Sequence, residues 1–324
     1  MNPAAIFFNP EQNKLRSGWR AFLFLILSRL PEIFLALVLA LLSRGQAPGG
    51  SVFGSAGEMI PIYLVLVAWL LVLSWACLKF LEGLGLSSLG FDFARGWWRD
   101  VLLGCVIAAA MIAAVVAIQW IGGGTRIIVN PMMWKSVDES RAIDLMGVWI
   151  VTRRMALALV LFIIAGTFEE LLFRGYAFQT LLRDVPAVVP IALFSAYFGY
   201  AHLGNPSATL VSTANTILAG VWLAVAYLKT RNLWFPTALH FTWNWMMGAF
   251  FGLPVSGLKL VSSPLLLSTS EQPSWLTGGE YGPEGGVATT IVLLIATVVI
   301  WRAGWLKNAQ SQPAEIQAQS MTDA

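Results

Sequence analysis

The chain has 324 residues, 57% of them hydrophobic and 11% charged, with a mean hydropathy of +0.72. Soluble domains carry about 25% charged residues, so this composition excludes a water-soluble globule and indicates a polytopic helical membrane protein in a lipid bilayer. The formal net charge of +3 comes without a long basic run or a nucleic-acid motif, so no nucleic-acid partner is expected, and two cysteines in apolar segments, Cys77 and Cys105, imply no disulfide framework.

Residues 1–18 are mixed in polarity, and the first apolar run, 19–43, is too long for the core of a signal peptide, so it reads as a retained first span. Seven further spans are expected at 59–81, 101–121, 155–183, 186–204, 207–229, 233–252 and 287–306. Polar segments rich in Gly and Pro separate them, most clearly 44–58 and 253–286. The organisation is an all-α membrane domain over 19–306 with a motif core at 155–252. A cytoplasmic N-terminal segment, 1–18, precedes it, and a disordered polar tail, 307–324, follows.

With the N-terminus inside, twelve Lys and Arg residues fall on the inner side and seven on the outer, and Arg29 lies within the first span. That bias puts both termini of a multi-pass cell-membrane protein in the cytoplasm. The connection 122–154 runs against it, with five of the seven outer charges. Arg153 and Arg154 are expected to snorkel at the outer face, and Arg29 to pair with Glu32 three residues on. The fourth span is about 29 residues by this reading, longer than the roughly 20 a bilayer needs, so its last turns after Arg174 are candidates to bend along the interface. Gly204-Asn205-Pro206 marks the end of the fifth.

The polar residues inside these spans carry the functional argument, because hydrocarbon penalises a charged side chain by about 2.5–3.5 kcal/mol on insertion scales. Glu169 and Glu170 are neighbours in one span, and the only two histidines, His202 and His240, lie in two others. Adjacent residues on a helix point about 100° apart, so the two glutamates face different ways. Glu170 and Arg174 are i, i+4 and can pair, which a purely structural salt bridge would also explain. Phe198 and His202 share a helix face, as do His240 and Asn244. Taken singly, either histidine also fits an interhelical hydrogen bond. By helix rise, Glu169 lies roughly 21 Å from Arg183 and His202 roughly 24 Å from Pro186, which puts those two at one level if the fourth span stays straight. His240 lies roughly 12 Å from Asn232, and only tilt would bring it to the same depth.

A carboxylate and an imidazole can together activate a water for attack on a carbonyl, and a second imidazole with a carboxamide can donate to the developing oxyanion. Two His and a Glu also suit a catalytic zinc, with Glu169, His202 and His240 as candidate ligands, although the spacing dictates no metal. Asn244 fits an oxyanion donor better than a zinc ligand.

At these residues the chain resembles the CPBP family, the CAAX proteases and bacteriocin-processing membrane proteins also called the Abi family. The family pattern stands here as EELLFR at 169–174, FGYAH at 198–202 and HFTWN at 240–244, with Gly175 after the arginine and Trp234-Phe235-Pro236 before His240. The resemblance covers about 165–250 and implies an eight-helix intramembrane endopeptidase related to type II CAAX prenyl endopeptidases, acting on a membrane-associated peptide or protein. It also implies the roles: Glu169 and His202 for water activation, His240 and Asn244 for the oxyanion, with Glu170, Arg174 and Phe198 in support. It leaves metal dependence open. Two other classes fit the same residues: a catalytically silent immunity or scaffold protein, and a proton-coupled transporter. Against the transporter, no matching pair of broken helices appears in the two halves.

Overall fold

The computed structural model describes residues 4–9, 14–42, 56–93, 96–137 and 140–306, and the polar tail expected at 307–324 lies outside them. The first helix, α1 (Ala4–Phe7), is a single turn, followed by a minimal hairpin of β1 (Phe8–Asn9) and β2 (Lys14–Leu15). The first expected span is two helices, α2 (Ser17–Ser28) and α3 (Leu30–Leu42), separated at Arg29. Pro31 lies in the first turn of α3, where its missing N–H has no intrahelical partner to lose. α4 (Ala56–Cys77) widens into a π turn at Leu78–Glu82 and stops at Gly83, whose φ of 73° only a glycine adopts without strain. α5 (Trp97–Ile121) follows.

The connection after α5, read from sequence as an irregular outer loop, contains three strands. β3 (Thr125–Val129) is followed by the hairpin β4 (Trp134–Val137) and β5 (Ser140–Ile143). Asp144 then caps α6 (Leu145–Arg174) by accepting from the Met146 N–H at 3.0 Å. This helix starts ten residues earlier than the sequence suggests, so Arg153 and Arg154 sit on its exposed surface rather than in a preceding loop. Its 30 residues run about 45 Å.

The chain breaks at Gly175 and resumes as α7 (Tyr176–Asp184), which buries one face through Tyr176, Phe178 and Gln179. A Cβ at Gly175 would lie 2.1 Å from the Leu171 carbonyl oxygen, so the break requires glycine for lack of space. α8 (Val188–Ala201) leads to His202 as its C-terminal cap. The fifth span therefore ends three residues ahead of Gly204, because the backbone already turns at His202. α9 (Leu210–Thr230) opens with a capping box between Thr209 and Ser212. α10 (Trp234–Trp245) runs into a π turn at Met246–Phe250. The connection 253–286 holds β6 (Leu266–Ser270) and α11 (Ser274–Thr277), and α12 (Val287–Arg302) closes the bundle.

The protein is mostly helical and multi-pass. Among the described residues five segments are long and apolar enough to cross a bilayer: Ser17–Val38, Gly57–Glu82, Trp97–Ile121, Leu145–Asp184 and Leu210–Thr230. The other three expected spans fall short. α8 has 14 residues and α12 has 16, about 21 and 24 Å against a hydrocarbon core of about 30 Å. α10 is the polar, largely buried helix, packed between α5 and α6.

Two pairings fix the ends of the bundle. β3 pairs antiparallel with β6, Thr125 opposite Ser270 through Val129 opposite Leu266, so the 122–144 and 253–286 connections share one end. At another place Glu82, after α4, bonds Arg20 of α2, Tyr176 of α7 at 3.1 Å and Arg183 at 3.1 Å. The 6% exposed Glu82 side chain ties α2, α4 and α7 together, and its burial makes that network worth more than an exposed ion pair.

Candidate active site

α6 delivers both glutamates and Arg174, and it separates their roles by direction. Glu170 is fully buried, and its Oε1 accepts from Arg174 Nη1 at 3.0 Å, as the i, i+4 spacing leads one to expect. Arg174 uses its second arm on the Gly220 carbonyl of α9 at 2.9 Å. That reach depends on α8 and α9 lying close: a Cβ at Gly220 would sit 2.8 Å from the Ser195 Cα. The guanidinium also stacks over the Phe198 ring, 5.0 Å from its centroid. A buried arginine thus has a charge partner, a carbonyl and an aromatic face.

His240, on α10, closes the set from the opposite side. Its Nδ1 lies 2.8 Å from Glu170 Oε1, and its Nε2 lies 3.6 Å from Glu169 Oε2. The α6–α10 packing therefore supplies the approach that helix depth alone left unexplained. Glu169 is 20% exposed in its side chain, and its Oε2 accepts no hydrogen bond.

His202 enters from the end of α8. Its Nδ1 lies 2.7 Å from the Phe198 carbonyl oxygen, and its ring packs on the Phe198 ring at 4.7 Å between centroids. A carbonyl oxygen only accepts, so Nδ1 carries the proton and Nε2 is left with its lone pair. Phe198 also meets His240 edge-on at 5.9 Å. One phenyl ring thus touches Arg174, His202 and His240.

Glu169, His202, His240 and Asn244 all line one cavity of about 250 Å³. Glu169 and His202 both line it, and among the described residues they form no ion pair with each other. Asn244 stands one turn after His240, half-buried. Arg29 also lines the cavity, held by Glu32 at 2.9 Å and by the Tyr197 hydroxyl.

Three cavity residues escaped the sequence reading. Glu284 bonds the Trp243 indole N–H at 3.0 Å through Oε1, and the Ser256 N–H and hydroxyl at 2.7 and 2.8 Å through Oε2. Asn215 donates to the backbone oxygens of Glu284 and Gly286 at 2.8 and 3.0 Å and accepts from the Thr290 hydroxyl. Asn205 donates to the Ser256 carbonyl at 3.0 Å. Asn215 is a buried carboxamide in an apolar span, so the rule that singled out Glu169 would have found it. Glu284 lies in a polar Gly/Pro loop where an acidic residue carries no signal.

Zinc asks for three protein ligands gathered about one point. Among the described residues no three His, Cys, Asp or Glu side chains form such a group. As folded, Glu169, His202 and His240 do not fit a preassembled zinc centre.

Residues 151–246 match the family model of the type II CAAX prenyl endopeptidase Rce1-like proteins. Over this segment the chain is similar to an Rce1-like domain. The segment runs from the second turn of α6 to the start of the π turn after α10, and it contains every motif residue from Glu169 to Asn244. The match covers under a third of the chain, and Glu284 and Ser256 lie beyond it. No curated protein and no solved structure matches the chain. The match supports the CAAX membrane protease resemblance that the three ordered motifs led one to expect. The family description says nothing of bacteriocins.

Proposed function

We propose that the chain is an intramembrane endopeptidase hydrolysing a peptide bond in a membrane-associated peptide or protein. The family description suggests a prenylated C-terminal segment as the substrate. One observation carries the reading: within the Rce1-like domain, Glu169, His202, His240 and Asn244 come from three helices and open on one cavity.

In this reading Glu169 takes a proton from water while His202 Nε2 accepts the water's other hydrogen and orients it. The water oxygen adds to the scissile carbonyl carbon, and the C=O electron pair moves onto oxygen. That oxyanion receives N–H donors from His240 Nε2 and the Asn244 carboxamide. The ring of His240 has a carboxylate on either side, so a proton on each nitrogen meets an acceptor. Collapse of the adduct breaks the C–N bond, and the proton held by Glu169 passes to the leaving nitrogen. The products are a carboxylate and an amine. Arg174 and Glu170 are positioning residues: Arg174 fixes Glu170, and Glu170 fixes His240.

The distribution of Lys and Arg supports both termini on the cytoplasmic side. The reading is tested with Glu169→Ala and His202→Ala and a farnesylated CAAX peptide in nanodiscs. Each substitution should abolish cleavage, and unchanged turnover in both would sink the proposal.

A further inference from the structure

Each carboxylate around the cavity has a basic side chain as neighbour, with one exception. Glu170 has Arg174, Glu32 has Arg29, and Glu169 has His240. Glu284 lines the same cavity and pairs with no cation among the described residues. Its three partners are the Trp243 indole N–H, the Ser256 amide N–H and the Ser256 hydroxyl. A carboxylate offers about four acceptor positions, so acceptor capacity remains on Oε1, which carries a single bond.

Glu284 is also held still. Asn215 clasps its backbone carbonyl at 2.8 Å, and Trp243 fixes the side chain to α10 beside Asn244. A fixed carboxylate in a wall of apolar residues (Trp222, Val255, Leu258, Leu293) and neutral polar ones (Asn215, Thr216, Ser256) is poised to bind positive charge. Charge-assisted hydrogen bonds there are stronger than in water, because the surroundings are poorly polarisable. Removing a charge from water without a partner is unfavourable, so an incoming cation would complete a pair that the fold leaves open.

We propose that Glu284 is a specificity-determining residue that selects substrates with a positively charged side chain close to the scissile bond. The proposal rests on the endopeptidase reading of the cavity and names the substrate class within it. A single basic side chain flanked by apolar residues fits the space, since about 250 Å³ is at or below the low end of ligand pockets, roughly 300–1,000 Å³.

The test uses the full chain in nanodiscs and dye-labelled farnesylated CAAX peptides carrying Lys, Gln or Glu at each position flanking the prenylated cysteine in turn. Binding is read by anisotropy in a Glu169→Gln background, where no turnover is expected, and cleavage is read separately in the unaltered protein. At one position Lys should bind about tenfold or more tighter than Gln, with Glu weakest, and the preference should fall with salt. Glu284→Gln added to that background should bring the Lys-to-Gln ratio to about one, and Glu284→Lys should favour the Glu peptide. No position that discriminates, or a lysine preference that survives Glu284→Gln, would overturn the proposal. The peptide series in the Glu284-containing background decides it even where a Glu284 variant fails to fold. Lysine-selective binding without cleavage would instead refute the endopeptidase reading and leave the selectivity of the cavity standing.

Discussion

Glu169 and Glu170 are consecutive in the chain, yet His240 meets them with different nitrogens: Nδ1 lies 2.8 Å from Glu170 and Nε2 3.6 Å from Glu169. Glu170 is fully buried and tied to Arg174, whereas Glu169 lines the cavity with its side chain 20% exposed. The turn of about 100° per residue makes one carboxylate a fixture of the fold and leaves the other available.

The two glutamates should therefore respond differently to the same substitution. Glu169→Gln should abolish peptide cleavage and keep the melting temperature close to that of the parent, because an amide cannot take the proton of water. Glu170→Gln should lower stability by about 3–5 kcal/mol, the range for removing one partner of a buried ion pair. Melting in detergent and turnover, measured on both, check this, and reversed behaviour would mean that the acting carboxylate is Glu170.

Arg174→Lys should be destabilising despite the conserved charge. A lysine cannot reach Glu170 and the Gly220 carbonyl together while stacking on Phe198, so a buried acceptor loses its donor. The expected loss is about 1–3 kcal/mol, read by urea or thermal unfolding. A variant as stable as the parent would show that the Gly220 contact contributes nothing.

Gly175→Ala should disturb the break between α6 and α7. The added methyl would fall 2.1 Å from the Leu171 carbonyl oxygen, so the backbone has to shift. A loss of about 1–3 kcal/mol is expected from such overpacking, with reduced turnover because Arg174 adjoins the break. Circular dichroism melts and peptide cleavage report the two effects.

Metal removal should leave activity in place. Glu169, His202 and His240 do not assemble as a three-ligand group among the described residues. Elemental analysis paired with turnover after chelation is the check. Protein that is inactive when stripped and is restored by zinc alone would overturn the direct water-activation mechanism.

The motif residues were legible because polar groups stand out against apolar spans, and the i, i+4 spacings named their local partners correctly for Glu170 with Arg174 and Phe198 with His202. Contacts between helices were not legible in the same way. Nothing in the chain between Glu170 and His240 states that α10 packs on α6, and depth arithmetic left the two apart. His202 as a cap rather than a mid-helix residue follows from a turn that begins before Gly204. β3 and β6 pair across more than a hundred residues, so neither announces its partner locally. Glu82 reads as an ordinary charge at a span end until Arg20, Tyr176 and Arg183 arrive from distant segments.

The β3–β6 pairing has a mechanical meaning. It welds the connection after α5 to the connection that carries Ser256 and Glu284, and Asn130 adds a bond to the Pro264 carbonyl at 2.7 Å. The end of the cavity bounded by Val255, Ser256 and Leu258 is thus part of a cross-braced plate. Separating one connection from the other means unzipping five residue pairs. Ser256 and Glu284 therefore keep a fixed station opposite α10, set by segments on both sides of the motif helices.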